Sequence, residues 1–360
     1  MRPSDAIDAL LELSVVASFT SLGPAIRAPL FAWDVPRPGM LAGRTALVTG
    51  PTSGLGRAAV DQLAALGARV ILVGRSADRL GRVRDELVGV HGDDRFPIVV
   101  ADMGSLASVR AAARHVIASE ARLDVLVDNA GAILPTRTVG PDGIEGTLAL
   151  LVVGPFALIS GLLPLLRATP GARVIATTSG GMYTQALDLA DLESARVPYS
   201  GALAYARAKR AQTALIREWA RRLPGAGVTF HAMHPGWADT PGLADMLPGF
   251  HRLMRPLLRT AAQGADSITW LATTPDAPSL NGKLILDRRA RPFDRVPWTR
   301  LTAADRRRLW DLVVALAGEP DGQLEEDAQK PPTVVDRPGP EQGQHAVTPA
   351  VAESSDGARG

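Results

Sequence analysis

The sequence predicts an α/β fold, a doubly wound parallel sheet of seven strands in one domain. Three observations predict it. Seven short runs rich in β-branched and other apolar residues recur without strict polar alternation, helix-length stretches separate them, and the first run leads directly into a glycine-rich loop. Near-continuous apolar strands are buried on both faces, as in a parallel sheet covered by helices. Parallel neighbours need a crossover of a dozen or more residues, which the intervening segments supply.

The chain opens with residues 1–40, read as an amphipathic helix and linker. Residues 6–33 are largely apolar, but Asp8 and Glu12 fall early and Pro24 and Arg27 late. The uncharged run from Leu13 to Ile26 is shorter than the ~20 residues needed to span a bilayer. No positive leader region or small-residue cleavage site precedes it, which argues against a signal peptide. The helix is expected to pack on the domain or to lie on a membrane surface. The expected location is the cytoplasm, with this helix as a candidate membrane-contacting face.

The domain itself is placed at 41–318. Its strand candidates are TALVTG (45–50), ARVILVG (68–74), FPIVVAD (96–102), LDVLVDNAG (123–131), ARVIATTS (172–179), VTFHAMHPG (228–236) and GKLILD (282–287). Segments 55–66 and 105–119 are helical crossovers. The first strand runs into TGPTSGLG, residues 49–56, where Thr52, Ser53 and Leu55 stand between glycines. Gly50 permits a tight turn, Gly54 lets the backbone approach a pyrophosphate, and Gly56 allows close helix–strand packing. The following helix presents free N–H groups and the positive end of its dipole to phosphate. Strand, loop and helix in this order predict dinucleotide binding in a Rossmann arrangement. At the end of the second strand, where an NAD site usually has Asp or Glu, stand Gly74 and Arg75. A guanidinium suits a ribose 2′-phosphate, so NADP(H) is favoured over NAD(H). Residues 319–360, rich in Pro, Gly, Gln, Asp and Glu without hydrophobic period, are read as a disordered tail.

Composition excludes several functions. The net charge is only +2, so no electrostatic footprint for nucleic acid is indicated. The 36 arginines against three lysines, with only two asparagines, read as a bias toward GC-rich codons and not as a basic patch. The absence of cysteine removes thiolate catalysis and Cys-ligated zinc, and six scattered histidines make no metal site.

Against that arginine excess, AYARAKR at 204–210 holds a rare lysine. Tyr205 and Lys209 stand at i and i+4 and share a helix face. A free phenol titrates near ~10, and an adjacent ammonium favours the phenolate. Lysine is a compact charge with rotatable donors, whereas arginine is planar and delocalised. Arg207 and Arg210 are expected to point away, into solvent.

TGxxxGxG, the DNAG tetrad at 128–131, Ser179 after the fifth strand, YxxxK at 205–209 and HPGWADT at 234–240 together resemble the short-chain dehydrogenase/reductase family. The likeness covers roughly 41–287. TTSGGM, MHPGWADTPG, MLPGFH and AQGAD are similar to the "member twelve" group within it. The resemblance implies an oxidoreductase acting between C=O and CH–OH with nicotinamide. Tyr205 would be its acid or base, Ser179 would position the substrate oxygen, and Lys209 would hold the ribose and lower the Tyr pKa. Asn129, followed by Ala130 and Gly131, would brace the sheet beside the cofactor. Asp102 with Met103 would contact adenine. Pro235, Gly236 and Trp237 belong to the PG motif, and Thr240 would meet the carboxamide.

One family residue is missing. Aligned by Gly154, the position of the usual catalytic Asn is Leu151, which can hold no water beside the lysine. Either the proton reaches Tyr205 by another path, or the protein binds NADP without turnover in a regulatory or structural role. The helix around it, LALLVVGPFALISGLLPLL, is apolar nearly all round, which implies burial under its own domain or against a partner in a homodimer. The segment 241–260 reads as a lid, with Leu243, Met246, Leu247, Phe250, Leu253, Met254, Leu257 and Leu258 forming an apolar surface and Arg252, Arg255 and Arg259 facing solvent. A hydrophobic carbonyl or alcohol is the expected substrate, such as a lipid aldehyde, a retinoid or a steroid-like ketone. The lid and N-terminal helix together would suit a membrane surface.

Overall fold

The computed structural model describes residues 2–93 and 95–319. Three short helices come first: α1 (Pro3–Leu13), α2 (Val15–Phe19) and α3 (Leu22–Leu30). The doubly wound unit then runs β1 (Thr45–Thr49), α4 (Gly54–Ala65), β2 (Arg69–Gly74), α5 (Ala77–His91), β3 (Ile98–Val100), α6 (Leu106–Ser119) and β4 (Val125–Asp128). Next come α7 (Gly146–Leu148), a π-helical turn (Ala149–Val153), α8 (Gly154–Ala168), β5 (Ala172–Thr177), α9 (Gly201–Arg222) and β6 (Val228–Met233). The lid forms α10 (Pro241–Met246) and α11 (Pro248–Met254). It is followed by α12 (Ala261–Thr273), β7 (Leu284–Leu286), β8 (Arg289–Arg291) and α13 (Ala303–Ala317). The tail expected at 319–360 lies outside the described residues except for Glu319.

All seven predicted strands are present, in the order β3-β2-β1-β4-β5-β6-β7, and every pairing among them is parallel. The direction of winding reverses between β1 and β4, which opens a crevice at the carboxyl ends of these strands. Alternate residues feed the two core layers. Leu47, Leu126, Val174 and Phe230 pack with α6, α8 and α9 on one side. Val48, Val70, Val127 and Ile175 pack with α4, α5 and α12 on the other.

The seven-stranded expectation falls one strand short. An eighth strand, β8, pairs antiparallel with β7 in the register Leu286↔Arg289. The link is two residues, Asp287 and Arg288, with φ of 53° and 58°. Left-handed conformation at both positions gives the twist of a tight hairpin, usually signalled by Asn-Gly. Here neither residue gives that signal, and RAR shows no apolar pattern.

The arginines of β8 serve an ionic network that ties α1 and α3 to the β7–β8 hairpin. Arg27 of α3 is fully buried and pairs with Asp8 of α1 at 2.7 Å and with Asp287 at 2.6 Å. Arg291 pairs with Asp8 at 2.8 Å, and Arg295 with Glu12. Arg259, expected in solvent, is instead buried: it pairs with Asp287 at 2.5 Å and donates to the carbonyls of Ser18, Phe19 and Thr20. Arg252 and Arg255 are exposed as expected. Arg210 is a second correction. It is buried, donating to the Met182 carbonyl at 3.0 Å and gripping Asp294 and the Thr299 carbonyl. It thereby clamps the segment leading to α13.

That last helix explains the apolar α8. Gly146–Ala168 is long and apolar enough to cross a membrane, yet most of it is buried inside the protein. Trp310 of α13 stacks edge-on against Phe156 of α8 at 5.0 Å and Trp219 of α9 at 4.7 Å. Helix α13, the last among the described residues, therefore packs over this surface.

Candidate active site

A cleft of about 1350 Å³ lies over the carboxyl ends of β1, β4, β5 and β6, and every candidate catalytic and cofactor-binding residue named above lines it. At its floor the glycine loop turns sharply, with Gly50 at φ 66°. A Cβ at Gly56 would collide with the Gly50 carbonyl and lie 2.5 Å from the Asn129 amide nitrogen. Asn129 is fixed there by donating to the carbonyls of Thr49 (3.0 Å) and Gly50 (3.3 Å). The Thr49 hydroxyl accepts from the backbone N–H of Asn129 and Ala130, both at 2.9 Å. These bonds join β1 to β4 at the crevice. The result is a concave cradle ending at the N-terminus of α4, with no side chain to fill it, which fits a pyrophosphate. Thr240 reaches the same loop from the far side, since a Cβ at Gly54 would stand 3.2 Å from its methyl.

At one end of the cleft Arg75 is exposed, and Arg79 joins it. Neither side chain has an ion-pair or hydrogen-bond partner among the described residues. Arg79, one turn along, was missed from sequence because no motif singles it out. Asp102 and Met103 follow β3, where Met103 is buried in the core and the Asp102 carboxylate accepts from Gly104 N–H at 2.9 Å.

Ser179, Tyr205 and Lys209 meet in the middle. Ser179 stands two residues past β5 and its hydroxyl caps the short turn beginning at Gly180. Tyr205 and Lys209 project from one face of α9, with the ammonium 5.9 Å from the phenol ring centre. Burial pushes the Tyr205 phenol up, opposed by its hydrogen bond with Ser179. The expected lowering by Lys209 is therefore not a feature of the site as it stands. The ammonium points instead to the Thr177 carbonyl (2.7 Å) and the Gln212 side-chain oxygen (3.1 Å). Burial draws Lys209 down to about 8, with Asp128 opposing the fall.

Leu151 is wholly buried on the π-helical turn, and it packs toward Gly131 beside the lysine: a Cβ on that glycine would stand 3.1 Å from Leu151 Cδ2 and 3.9 Å from Lys209 Nζ. Pro235, Gly236 and Trp237 form the wall after β6. Trp237 donates its backbone N–H to the Phe19 carbonyl at 2.6 Å and meets the Phe19 ring edge-on at 5.7 Å.

The outer end of the cleft is apolar. Leu243, Leu247 and Phe250 from the lid contribute, together with Ile133, Leu134 and Tyr183, whereas Leu253, Met254, Leu257 and Leu258, expected on the same apolar surface, lie outside the lining: Leu253 and Leu257 are exposed and Leu258 is buried. Phe19, Val15, Val296 and Trp298 also line it and come from outside the span that resembles the family. Their only sequence signal was hydrophobicity in appendages.

A short chain dehydrogenase profile matches residues 44–248. The human protein "Dehydrogenase/reductase SDR family member 12" is 36% identical over 250 residues, covering 69% of this chain and 78% of that one. Mouse retinol dehydrogenase 14 is 32% identical over 299 residues, covering 78% of this chain and 88% of that one. Among solved structures, the Pseudomonas aeruginosa RhlG/NADP active-site complex is similar with a TM-score of 0.56 and 28% identity, covering 69% of this chain and 96% of that one.

Proposed function

The chain belongs to the short-chain dehydrogenase family, close to the member-twelve group, and from that premise we propose an NADP(H)-dependent oxidoreductase for hydrophobic carbonyls or alcohols. The observation that carries this reading is the convergence of Ser179, Tyr205 and Lys209 between a phosphate cradle and an apolar mouth in one cleft. Gly50, Gly54 and Gly56 would hold the pyrophosphate against the start of α4. Arg75 and Arg79 would take the 2′-phosphate, for which two guanidinium groups without a partner among the described residues are suited.

When bound, the nicotinamide supplies or accepts the hydride. The chain's own residues manage the proton. Ser179 orients the substrate oxygen toward the Tyr205 hydroxyl. With its phenol pushed up by burial, Tyr205 is protonated at neutral pH, the state needed to donate to a carbonyl oxygen during reduction. Lys209, fixed by Thr177, contributes positive charge beside it. Phe19, Trp237 and Phe250 exclude water and favour an apolar substrate. The mouse relative is named for retinol, a substrate of that class.

The mouth is also the face we assign to a lipid surface, the source of an apolar substrate. Trp298 (70% exposed) lines the mouth, and Leu10 (68%), Leu13 (81%) and Leu253 (78%) are also presented outward, while Asp8 of α1 and Arg27 of α3 turn inward. Such inversion is the reverse of a helix packed for water.

The test is NADPH oxidation by purified protein over a panel of apolar aldehydes and ketones. Tyr205→Phe should abolish turnover while leaving NADPH binding within a few-fold. Turnover surviving in that variant would overturn the assignment. NADPH binding with no turnover on any compound would support the second reading, a non-catalytic protein, for which Leu151 is the specific observation. Arg75→Asp should weaken NADPH far more than NADH, and equal losses would remove the 2′-phosphate role.

A further inference from the structure

In place of the missing Asn, the structure provides Lys209 with a different set of neighbours. Gln212, one turn further along α9, accepts from the Lys209 ammonium through its carbonyl oxygen at 3.1 Å. The other end of the same amide donates to the Asp128 carboxylate at 2.5 Å. Asp128 is the last residue of β4 and is almost wholly buried, and its second oxygen has no hydrogen-bond partner among the described residues. Leu151 and Gly131 close the opposite side of the lysine.

A buried carboxylate without a cationic counterpart is strongly unfavourable, and so is a buried ammonium without an anionic one. Each is here the other's compensation. Among the described residues Asp128 is the one charged group that acts on Lys209, and Lys209 the one that acts on Asp128. The remaining groups facing the ammonium are neutral: the Thr177 carbonyl from β5, Gln212 and Tyr205 on its own helix, and Leu151 from the π-helical turn.

We propose that Asp128 is a positioning residue for this site, the buried counter-charge that keeps Lys209 charged and aimed, acting through the Gln212 amide. The arrangement rests on the reading of Lys209 as the ammonium of the active site. It makes the site's charge balance internal and dry. The aspartate at the head of the DNAG tetrad and the leucine at 151 then belong together: one supplies within the fold what the other denies from solvent. Burial raises Asp128 to about 6 and lowers Lys209 to about 8, so the ion pair exists between these limits. Below the first the carboxylate is neutral, and above the second the ammonium is.

The chain's three lysines make this directly measurable. Full-length protein labelled with 13C at the lysine ε-carbon should give three resonances, with Lys283 and Lys330 as internal references and Lys209→Arg identifying the third. In the wild type Lys209 should titrate near 8. In Asp128→Asn its midpoint should fall by about one unit or more, because the attraction that favours the ammonium is gone. Gln212→Leu leaves the charge but removes the bridge, and should move the midpoint in the same direction by less. An unchanged Lys209 midpoint in both variants would overturn the proposal, whichever of the two folds better. The measurement needs no substrate or turnover, so its failure is distinct from failure of the proposed activity.

Discussion

Around Trp219 the molecule buries rings and hydrocarbon: Phe156 at 4.9 Å, Trp310 at 4.7 Å and Phe230 stacked at 5.7 Å. Around Arg27 it gathers five guanidinium groups, those of Arg27, Arg259, Arg289, Arg291 and Arg295, onto Asp8, Glu12 and Asp287. The first cluster belongs to the sheet domain, the second to the collar that closes the cleft's mouth. Apolar packing is non-directional and tolerates trimming, because each atom contributes little. A buried ionic cluster is cooperative in the opposite sense, since removing one member leaves the others uncompensated. The sheet domain can therefore drift in sequence while keeping its shape, whereas the collar is complete or it is unstable.

The largest expected effect tests that claim. Arg27→Ala should destabilise by about 3–5 kcal/mol in chemical denaturation, since it empties a fully buried site and takes one ion-pair partner each from Asp8, Glu12 and Asp287, leaving Asp8 to Arg289 and Arg291 and Asp287 to Arg259. Trp219→Ala should cost a similar amount, about 3–5 kcal/mol, through a cavity. If Arg27→Ala costs under about 1 kcal/mol, the contrast fails, because the cluster would then behave like a surface network.

Acid separates the regions further. Burial depresses His231 to about 4 and His234 to about 3, both on or just after β6. A depressed histidine contributes stability that is present above its unfolded value near 6.5 and is lost as pH falls toward its folded value. Each unit of difference carries about 1.4 kcal/mol. Asp8 in the collar is pushed up by burial but drawn down further by Arg291 and Arg27, so its net displacement is downward from 3.8. Its contribution is lost only below about pH 4. Melting temperatures should thus begin to fall near pH 6.5 because of these two histidines, His231 depressed mainly by burial and His234 by burial together with Arg259 and Arg295 of the collar, and not because of the collar carboxylate. His234→Asn, which keeps an acceptor for the Gly236 N–H, should flatten the decline above pH 4; an unchanged profile would leave the decline to His231.

Smaller effects complete the contrast. Ile175→Val in the sheet should cost about 0.5–1.5 kcal/mol, read from the denaturation midpoint. Leu13→Ser on the exposed side of the collar should change stability by no more than about 0.5 kcal/mol. Combined with Leu253→Ser, it should nevertheless reduce co-sedimentation with anionic phospholipid vesicles several-fold. Unaltered co-sedimentation would remove the lipid-facing role of the mouth.

The same contrast governs what could be read without coordinates. Seven strands were legible because parallel strands declare themselves as apolar runs, and the glycine loop and Tyr205–Lys209 because their spacing is local. β8 was not, because its residues are arginines selected by partners far away in the chain. Arg259 and Arg210 were placed in solvent on residue type, and only the fold brings Asp287, Asp294 and the Thr299 carbonyl to them. Phe19 was invisible as a lining residue for the same reason. Asp128 was noticed as a departure from a motif, but its tie to Lys209 needed Gln212, a residue without a motif of its own.

The pairing of Arg27 with Asp287 spans 260 residues. On a ribosome adding about 5–20 residues per second, the first helices wait roughly 10–50 s for the partners that neutralise them. During that interval α1–α3 have only the pairs of Arg27 with Asp8 and Glu12 on one face, and Leu10 and Leu13 exposed on the other. These helices, made long before Asp287, are thus among the last elements to be locked, and a nascent-chain chaperone or a lipid surface has that long to take hold of them.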